Sequence, residues 1–414
     1  MRVLGHINKY RIDIGGEDMV VISVIAIVLL LVYLDDKLGQ FIFRNGRKKV
    51  VYPERRSDIS LYINGRHLFS DYFAELGRAR DHIHVLFYII KNDETSAPFF
   101  QILKEKAAAG VKVRVLTDWI GSFGLPKALI RSLEESGVEF AYARKPRFPF
   151  FIYRLNRRNH RKITVIDGRV GYIGGFNIGR EYNGKDANFG EWRDYHLKVN
   201  GEGVHDLQEQ FLHDWEEATG RTVPDKHRYF PPLSAGAIRH QLVATNGAAL
   251  EEQFIEVIRQ AKKEIMIGSP YFIPSRPLFN ELMQALRRGV RVTVLVPLKA
   301  DHLFVKEAAY PYFYRLLKAG ARIYRFYQGF YHAKTLVIDE EWCDVGTANF
   351  DRRSLFLNSE INCYVFDRAF TRLVKRAIER DLLRAEPLTV DFWQKRSLLD
   401  RGKQSISQLI SAWL

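Results

Sequence analysis

The chain has 414 residues, of which 47% are hydrophobic, and a formal net charge of +15 at pH 7. That length exceeds the usual single core, so two lobes are expected, and the apolar share is ample for a core in each. The cationic excess implies a polyanionic partner, either nucleic acid or an anionic membrane surface, without choosing between them. Cys343 and Cys363 are the only cysteines; they form neither a metal-ligand spacing nor a disulfide framework, which fits a reducing cytosolic face.

Met19 to Leu34 is apolar except for Ser23 and the hydroxyl of Tyr33, and is bounded by Asp18 and by Asp35-Asp36. At about 1.5 Å per residue it spans roughly 24 Å, somewhat short of a ~30 Å hydrocarbon core. Leu38, Phe41, Ile42 and Phe43 extend it to the interface. A cleaved signal peptide and a buried core helix are the alternatives, but no A-x-A-like site follows the apolar run, and a membrane anchor is the expectation. Arg2, Lys9 and Arg11 precede it, whereas Lys37, Arg44, Arg47, Lys48, Lys49 and Arg55 follow. The positive-inside rule then places the large C-terminal part in the cytoplasm.

From Leu61 helix and strand patterns alternate. Helices are predicted over Phe69–Arg80, Ala97–Ala109 and Leu125–Ser136, with strands over Ile83–Ile90 and Val111–Asp118, which argues for an α/β lobe. After a loop-rich stretch, Gly220 to Gly236, the same order recurs. Ala261–Ile273 echoes Ala79–Ile90, and Arg287–Val292 echoes Ala108–Val113. Ala319–Ile323 echoes Ser136–Phe140. Two such lobes related by a pseudo-two-fold would meet at its axis.

Arg144 to Arg158 interleaves Arg144, Lys145, Arg147, Arg154, Arg157 and Arg158 with Phe148, Phe150, Phe151 and Tyr153. It suits anionic headgroups, stacked bases or a partly packed loop. The stretch leads into His160-Arg-Lys162, followed by Asp167, Gly174 and Asn177. The second lobe carries His332-Ala-Lys334, Asp339, Gly346 and Asn349 at the same offsets. Residues two apart on a strand share a face, so His160 projects with Lys162 and His332 with Lys334. Two imidazoles and two ammonium groups suit phosphoryl transfer: one imidazole attacks phosphorus, the other protonates the leaving oxygen, and Lys162, Lys334, Asn177 and Asn349 hold phosphate oxygens. Asp167 and Asp339 complete the six-residue motif set counted with the catalytic residues, yet they lie too far along the strand for direct chemistry and read as hydrogen-bonding groups at the strand end. Tyr310, Tyr312, Phe313 and Tyr314 read mainly as helix packing. In the tail from Asp391, Ile406, Leu409, Ile410, Trp413 and Leu414 fit an amphipathic helix, docked on the core or lying on the membrane.

These residues resemble the paired H-x-K-x4-D motifs of the phospholipase D superfamily, and their surroundings resemble its bacterial cardiolipin synthase branch, from about residue 60 to the C-terminus. The resemblance implies two repeated lobes, each a mixed sheet flanked by helices, with an N-terminal membrane helix. The expected parts are an anchor and juxtamembrane segment (1–50), the lobes (51–235 and 236–390) and the tail (391–414). It also implies that the carboxylate after one motif supports the other motif's histidine, so that Glu360 orients His160 and Asp194 orients His332. The implied activity is a membrane-bound phosphatidyltransferase that makes cardiolipin from two phosphatidylglycerol molecules and releases glycerol through a phosphatidyl-His160 intermediate. No metal or organic cofactor and no nucleic-acid partner is implied. Another phosphatidyltransferase, a hydrolytic phospholipase D, a nuclease and a non-catalytic lipid-binding protein are the alternatives.

Overall fold

The computed structural model describes residues 16–43, 49–302, 304–393, 403–405 and 407. The residues of the tail pattern, Ile406, Leu409, Ile410, Trp413 and Leu414, lie outside the described residues. The chain divides into two compact units, Met1–Asn45 with Pro146–Asn156, and Gly46–Lys145 with Arg157–Leu414.

The first unit is dominated by one helix, Gly16–Ile42. Its portion Met19–Ile42 is 24 residues, predominantly apolar, about 36 Å of helix and so long enough to cross a hydrocarbon core. Asp35 and Asp36, read from sequence as the end of the apolar run, lie inside the helix because each finds a partner. The Gln40 amide donates to Asp36 Oδ2 at 2.7 Å, and the backbone N–H of Tyr153 donates to Asp35 Oδ2 at 3.0 Å. Tyr153 belongs to a short helix, Phe151–Asn156, and its ring stacks on Phe43 at 5.5 Å. The basic-aromatic stretch is therefore divided. Its middle joins the apolar helix, with Phe148 84% exposed, whereas Arg144 and Arg158 belong to the second unit.

The second unit is built on one 16-stranded sheet among the described residues. One half runs Arg55–Tyr62, His196–Gly201, Val170–Gly174, Ile163–Ile166, His82–Phe87, Lys112–Asp118 and Glu139–Ala143 in spatial order. The other repeats it as Ile238–Asn246, Ser359–Val365, Trp342–Gly346, Thr335–Ile338, Glu264–Gly268, Arg291–Pro297 and Arg322–Phe326. In each half three parallel strands continue into antiparallel ones. The halves join where Ser57, Arg56 and Arg55 pair antiparallel with Ile238, Arg239 and His240, so the two lobe sheets are one continuous sheet.

Period-2 alternation sorts the motif strands between cores. Ile163, Val165 and Val337 enter a central cluster shared by both halves. Ile166 enters the first half's own cluster, and Leu336 and Ile338 the second half's. Tyr310 and Phe313 are buried on the helix Val305–Lys318, where Tyr310 and Tyr314 pack against Trp393. These aromatics serve packing.

Candidate active site

Two short crossings bring the motifs together. The residue before each motif histidine pairs with the residue before the other half's carboxylate. Asn159 bridges Ser359, and the His160 N–H donates to the Ser359 carbonyl at 2.9 Å. Phe330-Tyr331 pairs in parallel with Trp192-Arg193, and the His332 N–H donates to the Arg193 carbonyl at 2.7 Å. The next residue on each carboxylate strand is then beside the histidine. His160 Nδ1 lies 2.9 Å from Glu360 Oε2, and His332 Nδ1 lies 2.5 Å from Asp194 Oδ2. An Nδ1–H donated to a carboxylate leaves Nε2 as the basic nitrogen.

The carboxylates are held in place by different means. Glu360 Oε2 accepts from the Thr347 hydroxyl at 2.6 Å and Oε1 from the Ser354 hydroxyl at 2.8 Å. Asp194 Oδ1 accepts from the Tyr195 N–H at 2.8 Å, and Gly175 packs against it so closely that a Cβ there would fall on the carboxylate. Burial alone would raise both acids. For Asp194 the charges of Lys334 and His332, and for Glu360 that of His160, outweigh it and hold the carboxyls below their ordinary range. Burial lowers both imidazoles, and Lys334 adds to the effect on His332, which is lowered to about 4 despite the opposing charge of Asp194.

Neither lysine sits in the cavity wall. Lys162 Nζ donates to the His160 carbonyl at 2.8 Å, and Lys334 Nζ donates to the His332 carbonyl. Lys334 Nζ also lies 2.6 Å from His332 Nδ1, but that nitrogen's proton goes to Asp194, so this is a close approach of like donors. Burial lowers Lys162 to about 7 and Lys334 to about 8.

Asp167 and Asp339, counted with the catalytic set, stand apart from the cavity. Asp167 accepts from the backbone N–H groups of Arg80, Asp81 and His82. Asp339 accepts likewise from Lys262, Lys263 and Glu264. Each tethers the start of a neighbouring parallel strand.

His160, His332, Asn177 and Asn349 line one cavity of about 680 Å³. Asn177 Oδ1 accepts from the Ile89 N–H at 3.0 Å, while Asn349 Oδ1 is buried without a partner. Sequence reading missed several residues of this wall. The Tyr88 ring stands 4.9 Å from His160 and the Trp192 ring 4.9 Å from His332. Asp351, also in the wall, is pushed up by burial to about 6. Tyr88 and Tyr271 occupy equivalent places in the echoed stretches, a signal available in the repeat itself. Among the described residues, His213, Asp214 and Glu217 bring three ligand atoms within 4.8 Å of one another, outside this cavity, and Asp214 is engaged by Arg161 at 2.6 Å.

Two halves that each lend a carboxylate to the other's H-x-K pair define a phospholipase D-type fold. Residues 72–215 and 254–382 match the family described as cardiolipin synthase, PLD-like domain. The minor cardiolipin synthase ClsB of Bacillus subtilis (strain 168) is 43% identical over 396 residues, covering 96% of this chain and 99% of that one. A cardiolipin synthase of Listeria innocua is 39% identical over 86% of this chain and 75% of its own length. The crystal structure of a phosphatidylserine synthase from Haemophilus influenzae Rd KW20 shares the fold, with TM-score 0.66 and 16% identity over 92% of this chain and all of that one. The chain belongs to the cardiolipin synthase family, phosphatidyltransferases of the phospholipase D superfamily.

Proposed function

We propose that this protein makes cardiolipin by moving a phosphatidyl group from one phosphatidylglycerol to another. The observation that carries the reading is the pair of carboxylate-backed imidazoles on one cavity. His160 Nε2 attacks phosphorus, the bond from phosphorus to the glycerol oxygen breaks, and His332 gives that oxygen its proton. The primary hydroxyl of the second lipid then loses its proton to His332 and attacks phosphorus. The phosphorus–nitrogen bond breaks, and its electrons return to His160. An entering phosphodiester anion raises the proton affinity of His332 and of both lysines, so the buried site becomes charged as it fills. Lys162 and Lys334 turn from their backbone carbonyls to the non-bridging oxygens, and Asn177 and Asn349 cover the phosphate.

On this reading Met19–Ile42 spans the membrane, and the excess of lysines and arginines after it supports a catalytic body on the cytoplasmic side. Lipid is the polyanion that the net charge serves. The test is product analysis of the protein in phosphatidylglycerol vesicles, wild type beside His160→Ala. Cardiolipin with equimolar glycerol from the wild type alone is expected. Phosphatidic acid as the sole product would make water the acceptor, and consumption of added phosphatidylethanolamine would name a different headgroup.

A further inference from the structure

The shared cavity is asymmetric in a way that bears on the headgroup. Beside His332, the loop after Arg291–Pro297 puts Asp301 into the wall. The Tyr271 hydroxyl donates to Asp301 Oδ2 at 2.5 Å, and the Tyr271 ring stands at 86° to His332 with centroids 6.4 Å apart. Asp301 is near enough for its charge to act on both His332 and Lys334. Its side chain is 13% exposed, and its second oxygen, Oδ1, accepts no bond from the described residues. In the first half the wall carboxylate is Glu181, which is held by the Lys91 ammonium. There the corresponding loop reaches the cavity through Gly121, and the next residue, Ser122, is engaged by the Ile90 N–H at 2.9 Å. The Asp118 carboxylate of that half is held by Arg158 at 3.0 Å and by the Asn159 N–H at 2.9 Å.

A carboxylate oxygen with no protein donor, set in the wall of a cavity beside a proton-transfer group, is placed to accept a hydrogen bond from the substrate. A glycerol headgroup carries a primary and a secondary oxygen on adjacent carbons: the primary one must meet His332, and the secondary hydroxyl is free to donate. We propose that Asp301 reads the glycerol headgroup. Its Oδ1 accepts the secondary hydroxyl, first of the glycerol leaving the donor lipid and then of the acceptor lipid's headgroup, while Tyr271 fixes the carboxylate through Oδ2. Both alcohols thereby present their primary oxygen to His332. The assignment rests on the reading above, in which His332 handles the proton of the departing and the arriving alcohol.

The test is a competition. Full-length protein in phosphatidylglycerol vesicles receives deuterated glycerol and ethanol together, and mass spectrometry reads labelled phosphatidylglycerol against phosphatidylethanol. Wild type favours glycerol. Asp301→Asn lowers the glycerol-to-ethanol ratio about ten- to a hundredfold, the effect of losing one hydrogen bond to a charge, and Tyr271→Phe lowers it less. Equal loss of both products, or an unchanged ratio, overturns the assignment. So does a parallel competition in which Asp301→Asn loses transfer to ethanolamine instead of glycerol, since the carboxylate would then be reading a cation. A wild type that exchanges glycerol but forms no cardiolipin sinks the cardiolipin reading, while the ratio still decides the role of Asp301.

Discussion

The chemistry of single residues here depends on how completely each is removed from water. Burial brings Lys162 to about 7 and Lys334 to about 8, so near pH 8 the empty site holds fewer than two lysine charges. An oxyanion bound between them restores the charges. Titration with tungstate at pH 8, in buffers of differing ionisation enthalpy, is expected to show net proton uptake, and uptake that shrinks toward pH 6, where the lysines already carry protons and only His332, lowered to about 4, is left to gain one. The acids separate into two classes by what they touch. Glu360→Gln removes the charge backing His160 and is expected to cut turnover per folded molecule by about 10²–10⁴. Asp167→Asn keeps the left-handed backbone, at φ 53°, but weakens three bonds to N–H donors. It should cost about 1–3 kcal/mol of stability, seen as a lower Tm, with turnover per folded molecule retained. Sequence spacing separates these classes, since Asp167 lies seven residues from its histidine. The hydroxyls of Thr347 and Ser354 on Glu360 were invisible to it, because a side chain's partner across a sheet leaves no local pattern.

At the scale of elements, the strands that assemble the site are its shortest. Ile163–Ile166 and Thr335–Ile338 were legible as β-branched runs, as was the α/β alternation around them. Trp192-Arg193 and Phe330-Tyr331 are two residues each, too short for any period to show, yet they set the level at which His332 meets Asp194. In the helix Gly16–Ile42 two adjacent aspartates read as a boundary of the apolar run until their partners are seen. Gly175 is the element-level weak point, since it leaves the Asp194 carboxylate its space. Gly175→Ala is expected to lower turnover at least a hundredfold through displacement of Asp194, and Gly77→Ala, with open space around its Cβ position, to spare it. Equal activities for the two would show that Asp194 tolerates the shift.

Across the whole molecule, burial lowers the proton affinity of His82, His84, His160, His196, His240 and His332. A histidine whose folded value lies below its unfolded one adds stability above about pH 6.5, and that stability is lost as the pH falls toward the folded value. His332 reaches about 4 and His196 about 3. Tm should therefore decline steadily from pH 6.5 to 4, and a flat profile would mean that these rings ionise without unfolding. The repeat of whole lobes was legible in the echoed stretches. The fusion of both into one sheet was not, because Arg55-Arg56-Ser57 and Ile238-Arg239-His240 resemble ordinary strand ends until they pair. The exchange of acids across that join has a further consequence. Neither half owns a working histidine, so a half standing alone would function only by meeting another, and its rate would follow the square of its concentration. Joining the halves in one chain replaces that encounter with a fixed local concentration. Dilution then leaves the enzyme intact, whereas after a backbone cut in the stretch 220–236 only the shared sheet and core would keep the two halves together.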